Sequence, residues 1–458
     1  MTTVKQMYEH EKIRKLLVRI STPLVLSYLV AELYNMTDTF FVGNFSSASS
    51  VGGLMLVFPI QRLFIALAVL VSVGAATNIS VKLGEGDRKA VHRQMHAADM
   101  MTLLVIPISI LCFFARHEIL RLFGGRGEIL TASIQYMQII IFSQFFVVRI
   151  MYLYQLGIAC GQPGISVVSN LLGMGLNIII DYITVAKLHM GVVGAGLGTL
   201  ISQAVSYLYC EFAIQNLLRN NQLKTKKKIG PNREAFRLLF VVGLAGFLLE
   251  AEDGIVMGFI NRMLLHVGGE EQIIILGVIS KVYVFMFVLM FAIAEAMQPM
   301  AAYCHGRGIQ KRVKRIFKET LLYSFVLDLF VYGIGMIFAE TFIGIFIKDP
   351  DIIQKSIPAF RIMIAAFPIT GFYYVMVHFL QSIEKSKKAI YLCVARQLFI
   401  RIPVSYVLMN IWGSMGIWLS FPISDILSVG VAYLTIRKHG KEKEPASYGE
   451  SLSLKVQM

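Results

Sequence analysis

Two carboxylates stand in stretches of sequence that leave them little water. Asp38 lies in Tyr34-Asn35-Met36-Thr37-Asp38-Thr39, and Asp181 in Asn177-Ile178-Ile179-Ile180-Asp181. Asn177 and Asp181 are four residues apart, so a helix puts them on one face. A carboxylate and an amide carbonyl one turn apart offer hard oxygens to Na+. They also offer a proton acceptor with a supporting hydrogen bond. The other reading is that Asp181 ends its helix near a surface and is solvated. Ionisable groups in hydrocarbon are costly, and those that persist are functional or paired. By that criterion Glu32, Arg62 and Arg149 also stand out, with Glu250, Glu252, Asp253, Lys281, Glu295, Arg361, Arg401 and Asp425. Asp99, Asp328 and Arg396 fall nearer predicted helix ends, where water would solvate them.

Gly191, Gly194, Ala195, Gly196, Gly198 and Thr199 open another apolar segment. Small residues let helices approach closely; where a helix loosens they also expose backbone carbonyls. Proline recurs inside apolar segments at Pro23, Pro59, Pro107, Pro299, Pro368, Pro403 and Pro422. Each removes a backbone donor and can bend its helix. Met257, Met286, Met290 and Met297 offer adaptable apolar contacts, or simple packing. Tyr34 and Tyr283 could stack on flat organic cations. The five cysteines lack CxxC spacing and read as small buried residues. No HExxH, GxSxG or P-loop occurs in the chain, which argues against an enzyme.

Twelve apolar segments must position these residues: 16–41, 52–81, 94–115, 131–157, 165–186, 191–217, 235–263, 272–302, 316–338, 356–381, 389–410 and 413–436. Each is near the roughly 20 residues that cross a bilayer. With 56% hydrophobic and 16% charged residues, the chain lies outside the range of soluble domains. The predicted fold class is an all-α integral membrane protein of twelve transmembrane helices. Its net charge of +15 could suggest nucleic acid, but the distribution points to topology instead. With the N-terminus inside, the inner segments hold thirty Lys and Arg and the outer loops seven. Both termini are therefore expected in the cytoplasm.

The chain also repeats itself. Leu83-Gly84-Glu85-Gly86-Asp87 returns 222 residues later as His305-Gly306-Arg307-Gly308-Ile309, and Gly194-Ala195-Gly196-Leu197 as Gly416-Ile417-Trp418-Leu419. Asp38-Thr39-Phe40-Phe41-Val42-Gly43 echoes 215 residues later in Asp253-Gly254-Ile255-Val256-Met257-Gly258, a change of offset that predicts a longer loop around His266 to Gln272. Six spans per half make the repeats parallel, related by an axis along the membrane normal. The expected units are a first half over 1–218, a basic linker over 219–233, a second half over 234–437 and a cytoplasmic tail over 438–458.

The motifs at Asp38, at Gly74-Ala75-Ala76 through Gly84-Glu85-Gly86-Asp87, at Asn177 to Asp181 and at Gly191 to Gly196 occur together in order and spacing. On these, the chain over about residues 15–437 resembles the multidrug and toxic compound extrusion (MATE) transporters. It most resembles the bacterial branch named for DNA-damage-inducible protein F. The resemblance implies two six-helix lobes forming a V around a central cavity. It implies export of organic, often cationic and amphipathic compounds from the cell across the inner membrane, driven by antiport of Na+ or H+ without a further cofactor. It places a cation site on Asp38, Asn177, Asp181 and Thr199, with the carbonyl of Ala195, and a helix bend at Pro23. A second-half site would draw on Glu250, Glu252 and Asp253, although the tenth span carries no acid; Tyr34, Met257 and Met286 are candidate substrate contacts. The lipid bilayer and small molecules are the expected partners, nucleic acid is not, and the expected state is a monomer. The alternative is a flippase for a lipid-linked oligosaccharide, which would gather Arg62, Arg149, Lys281, Arg361 and Arg401 around its cavity.

Overall fold

The computed structural model describes residues 2–221, 223, 230, 232–347 and 349–441, and the side chains of these except 2–4, 35, 48, 251–255, 270 and 438–441. Lys224 to Lys228 of the linker and the tail beyond residue 441 lie outside the described residues, as do the side chains of Glu252 and Asp253.

Among the described residues the chain is helical and contains no strand. In the bilayer a helix satisfies every backbone N–H and C=O within its own segment, which is why apolar runs of this length fold so. The first half comprises α1 (Thr2–His10), α2 (Ile13–Phe45), α3 (Ala48–Glu85), α4 (Arg88–Leu103), α5 (Val105–Phe114), α6 (Arg116–Leu122), α7 (Gly127–Ala159), α8 (Gly164–Asp181) and α9 (Gly191–Asn220). The second comprises α10 (Arg233–Gly306), α11 (Gln310–Ile337), α12 (Ala339–Phe346), α13 (Pro350–Met363), α14 (Phe367–Ser382), α15 (Ser386–Val394) and α16 (Ile402–Lys441). Nine helices, or ten counting the bent pair α13–α14 as one span, are long and apolar enough to cross a membrane among the described residues. The twelve expected spans differ from this count chiefly where two run together: 386–437 forms one 52-residue run, which Gly413 breaks with φ 59°. Pro368 opens α14 instead of lying within a span, and α13 and α14 meet at 50°.

The longer loop expected around His266 to Gln272 is instead a tight break at Gly269 (φ 70°, ψ −165°), a conformation open to a residue without Cβ. Two helices of the α10 stretch meet there, the second running Glu271–Gly306.

The repeat is present in the backbone as well as in the sequence. Gly86 and Gly308 sit at φ 79° and 80°, and Gly191 and Gly413 at φ 55° and 59°. A π-helical segment follows α8 (Tyr182–Lys187), and another follows α15 (Ala395–Arg401). The halves meet through α3 and α10 by reciprocal close approach. A Cβ built at Gly84 would strike the Tyr303 carbonyl, and one at Gly306 the Val81 carbonyl. Side-chain-free crossings let the two backbones touch, and dispersion contacts then replace a hydrophobic drive that lipid does not supply. Large apolar side chains such as Phe114, Phe212, Phe330 and Phe399 remain exposed, as a surface facing lipid requires.

Helix α1 closes the basic end of this seam. Tyr8 is fully buried and donates to the Ile158 carbonyl at 2.8 Å, in the first half. Arg312 of the second half donates to the Tyr8 carbonyl and the Glu11 carbonyl, both at 2.6 Å.

Candidate functional site

Asp38 lies in the last third of α2 and is buried, at 7% exposure. Three other helices converge on it. Tyr136 of α7 donates its hydroxyl to Asp38 Oδ2 at 2.7 Å. The Thr199 hydroxyl of α9 lies 3.0 and 2.9 Å from the two Asp38 oxygens. Asn177 Nδ2 of α8 donates to Asp38 Oδ1 at 3.3 Å and to Thr199 Oγ1 at 3.4 Å. All three groups are neutral donors, so the carboxylate is solvated by dipoles while no Lys or Arg of the described residues pairs with it.

Asp181 is the last residue of α8, yet it is fully buried. The solvated helix end weighed from the sequence does not occur, because the chain continues past Asp181 as a π-helical segment instead of emerging. Asp181 stands close enough to Asp38 for the two carboxylates to interact directly. Neither Asp181 oxygen receives a hydrogen bond, and neither does Asn177 Oδ1. Three buried acceptors without donors thus adjoin the two carboxylate oxygens of Asp38. Gly198 makes the room: a Cβ there would strike Asp181 Oδ1 and lie 3.3 Å from Asn177 Nδ2. That is the local reason for glycine at 198, whereas Gly194 and Gly196 face Thr184 and Ile139. Ala195 is fully buried one turn before Thr199. Tyr34, one turn before Asp38, lies 2.9 Å from Ser202 Oγ, and Ser202 in turn donates to the Thr199 carbonyl at 3.1 Å.

What these oxygens can do follows from their type. Carboxylates, an amide carbonyl and a hydroxyl are the ligands of hard cations such as Na+. Two carboxylates in contact also share a proton more easily than they hold two charges. The donor set is thus chemically suited to one positive charge, as Na+ or as a proton. No group of three or more His, Cys, Asp and Glu suited to a transition metal occurs among the described residues.

The remaining expected residues are dispersed. Pro23 lies within α2, which stays helical across it. Met286 is buried and packs against Gly335, and Met257 is half-buried at the edge of the same core. Glu250 is half-buried within electrostatic range of Tyr28. Glu252 and Asp253 lie outside the described side chains. The five cations of the flippase reading have separate surroundings. Arg62 lies over Phe58, Arg149 pairs with Asp99 and Glu211, Lys281 lies over Phe346, Arg361 donates to the Met336 carbonyl and Arg401 pairs with Asp425.

Two residues assigned to helix ends are buried instead. Asp328 is fully buried against Ser324, facing Gly371, and Arg396 is 4% exposed. Arg396 Nη2 and Arg401 Nη2 both donate to Asp425 Oδ1, at 3.0 and 2.6 Å, and Thr370 donates to Oδ2 at 3.1 Å. Arg396 also lies over the rings of Tyr373 and Tyr374, 4.6 and 4.9 Å from their centroids. Tyr136 and Ser202 went unmarked in the sequence. Each is one hydroxyl in an apolar helix, with nothing local to distinguish it from packing.

The family model MatE matches residues 23–183 and 255–407. The multidrug export protein MepA of Staphylococcus aureus (strain NCTC 8325 / PS 47) is 25% identical over 447 residues, covering 94% of this chain and 96% of that protein. MepA of Staphylococcus saprophyticus is 26% identical over 437 residues, with the same coverage. A crystal structure of a MATE in complex with MaL6 superposes with a TM-score of 0.89 at 23% identity, covering 96% of this chain and 98% of that one. An outward-facing multidrug resistance MATE transporter of the MOP superfamily superposes at 0.88 with 24% identity, covering 95% and 97%. These structures share the fold, and with two-thirds of its length inside the family model, the chain belongs to the MatE family of multi-pass membrane transporters.

Proposed function

We propose that this chain exports organic, cationic and amphipathic compounds by antiport against Na+ or H+. The incoming cation binds between Asp38, Asn177, Asp181 and Thr199, with the carbonyl of Ala195 as a further oxygen. The observation that carries this is the set of buried acceptors without donors, Asn177 Oδ1 and both oxygens of Asp181, placed beside Asp38. Leaving such groups unpaired costs about 1–3 kcal/mol each, and a bound Na+ or proton offsets that cost. Coupling then needs only that cation and exported compound prefer different states of the two halves, since a ligand shifts an equilibrium by its differential affinity alone. The names of the MepA relatives support multidrug export as the outcome. On this reading the protein lies in the inner membrane with both termini in the cytoplasm and works as a monomer, with the two halves 1–218 and 234–437 as the moving units. Pro23 in α2 is the hinge candidate.

The test is efflux of a fluorescent organic cation from proteoliposomes under an imposed Na+ gradient and then an imposed proton gradient. Transport under one of them names the coupling ion, and Asp38→Asn should abolish it. Gradient-driven efflux that persists in Asp38→Asn would refute the coupling.

A further inference from the structure

Helix α10 carries Tyr283, Phe287, Phe291 and Glu295 at intervals of four residues, one above another on a single face at about 5.4 Å per turn. The rings form a ladder. Tyr283 and Phe287 stack with centroids 6.2 Å apart at 25°, and Phe287 and Phe291 5.4 Å apart at 27°. From α14, Tyr374 meets Phe287 and Phe291 edge-on at 5.2 and 5.9 Å, and His378 meets Phe291 edge-on at 5.4 Å. Those edges hold the rungs parallel.

The ladder ends on a carboxylate that lacks a counter-charge. Glu295 is 4% exposed and accepts hydrogen bonds from the Tyr28 hydroxyl of α2 and Gln155 Nε2 of α7. Both donors are neutral, and both belong to the other half of the molecule. No Lys or Arg of the described residues pairs with Glu295. Around it Tyr28, Gln155, Phe287 and Phe291 are each partly buried, so the carboxylate lies at the seam of the halves behind side chains that keep some exposure. Glu250, in electrostatic range of Tyr28, adds negative charge at the same place.

We propose that Tyr283, Phe287 and Phe291 form a track for flat aromatic cations and that Glu295 is the counter-charge on which such a substrate comes to rest. This rests on the export reading above and names the substrate class and the residues that select it. A buried carboxylate with neutral donors alone retains most of its desolvation cost. An organic cation supplies the missing charge, and its flat body lies against ring faces that attract positive charge. Parallel rungs one helical turn apart fit a planar ligand better than a globular one.

The test is equilibrium binding to the full chain in detergent micelles without any gradient. Ethidium is the flat probe and tetraphenylphosphonium the globular one. Glu295→Gln keeps the side-chain shape and should weaken binding of both by about tenfold or more. Phe291→Leu should weaken ethidium by about three- to tenfold and tetraphenylphosphonium by less than about twofold. Unchanged ethidium affinity in a monodisperse Glu295→Gln protein overturns the proposal, as does an equal loss for both probes in Phe291→Leu. Phe291→Leu keeps the test decisive if Glu295→Gln fails to fold. Gradient-driven flux in Asp38→Asn reports on coupling, whereas gradient-free binding reports on this track, so either idea can fail while the other stands.

Discussion

Each half gathers polar groups around a buried carboxylate beside a π-helical segment, and the two clusters supply it with different partners. In the first, Asp38 is surrounded by Tyr136, Asn177 and Thr199, none of which carries charge, and Asp181 beside it receives no donor. In the second, Asp425 is occupied by Arg396, Arg401 and Thr370. Both clusters draw on the same parts of the repeat: a helix leading into a π-helical segment, Tyr182–Lys187 or Ala395–Arg401, and the helix after the glycine at 191 or 413. The backbone devices are kept while the charges are exchanged. The Asp38–Asp181 cluster has no cationic partner among the described residues, whereas Asp425 already has two guanidiniums. A duplicated scaffold therefore need not carry a duplicated site.

The sharpest way to break this comparison is to neutralise each carboxylate in turn. Asp425→Asn should destabilise the protein by about 3–5 kcal/mol, because it strips buried guanidiniums of a partner. Asp38→Asn should cost far less, or stabilise, because no cation loses its partner. Thermal unfolding of the two variants in detergent measures both, and equal losses would erase the distinction. Next in size is Gly198→Ala, whose added Cβ would displace Asp181; it should cost about 1–3 kcal/mol and reduce gradient-driven efflux more than about tenfold. Thr199→Val removes the hydroxyl that contacts both Asp38 oxygens and should cost about 1–2 kcal/mol, with a weaker dependence of efflux on the driving ion as its functional sign.

The smallest effect concerns a turn that the halves build differently. After α7 the chain turns at Gly161 (φ 83°), with Gln162 N–H donating to the Gly157 carbonyl at 2.8 Å; after α14 it turns at Glu384 (φ 59°), with Lys385 N–H donating to the Leu380 carbonyl at 2.8 Å. A side chain in the left-handed region costs about 1 kcal/mol, so Glu384→Gly should be mildly stabilising. Against it stands the lost interaction with His305, 3.7 Å away. The His305 hydrogen bond holds the Glu384 carboxyl below its ordinary pKa. A lowered carboxyl pKa adds stability above the unfolded value, and that stability is lost as pH falls through the folded value. The gain from Glu384→Gly should thus be larger at pH 3 than at pH 7. With Glu384 44% exposed, the difference should stay well below about 1 kcal/mol. Unfolding curves at the two pH values check the sign.

Much of the site was legible because its residues are costly where they stand. Asp38, Asn177, Asp181 and Thr199 could be picked out since a polar group in an apolar helix needs a reason, and the structure brings all four together. Tyr136 was not legible: tyrosine is at ease in such helices, and its partner is 98 residues away. Arg396 and Asp328 were misplaced because helix ends drawn from hydropathy are uncertain by a turn, which separates interface from interior. The loop expected near Gly269 failed for a related reason, since a single glycine can reverse a chain that otherwise reads as helix.

The amino-acid sequence by itself determined the helical, membrane-spanning architecture, its internal repeat and the chemical character of the first-half cluster. Those depend on composition, period and the high cost of polar groups in lipid, all local properties of the chain. Only the tertiary structure decided which polar groups find partners. Pairing between helices depends on register and crossing, set here by side-chain-free approaches such as Gly84 to Tyr303 and Gly198 to Asp181. That is why Asp425 receives donors from three side chains while the oxygens of Asp181 receive none.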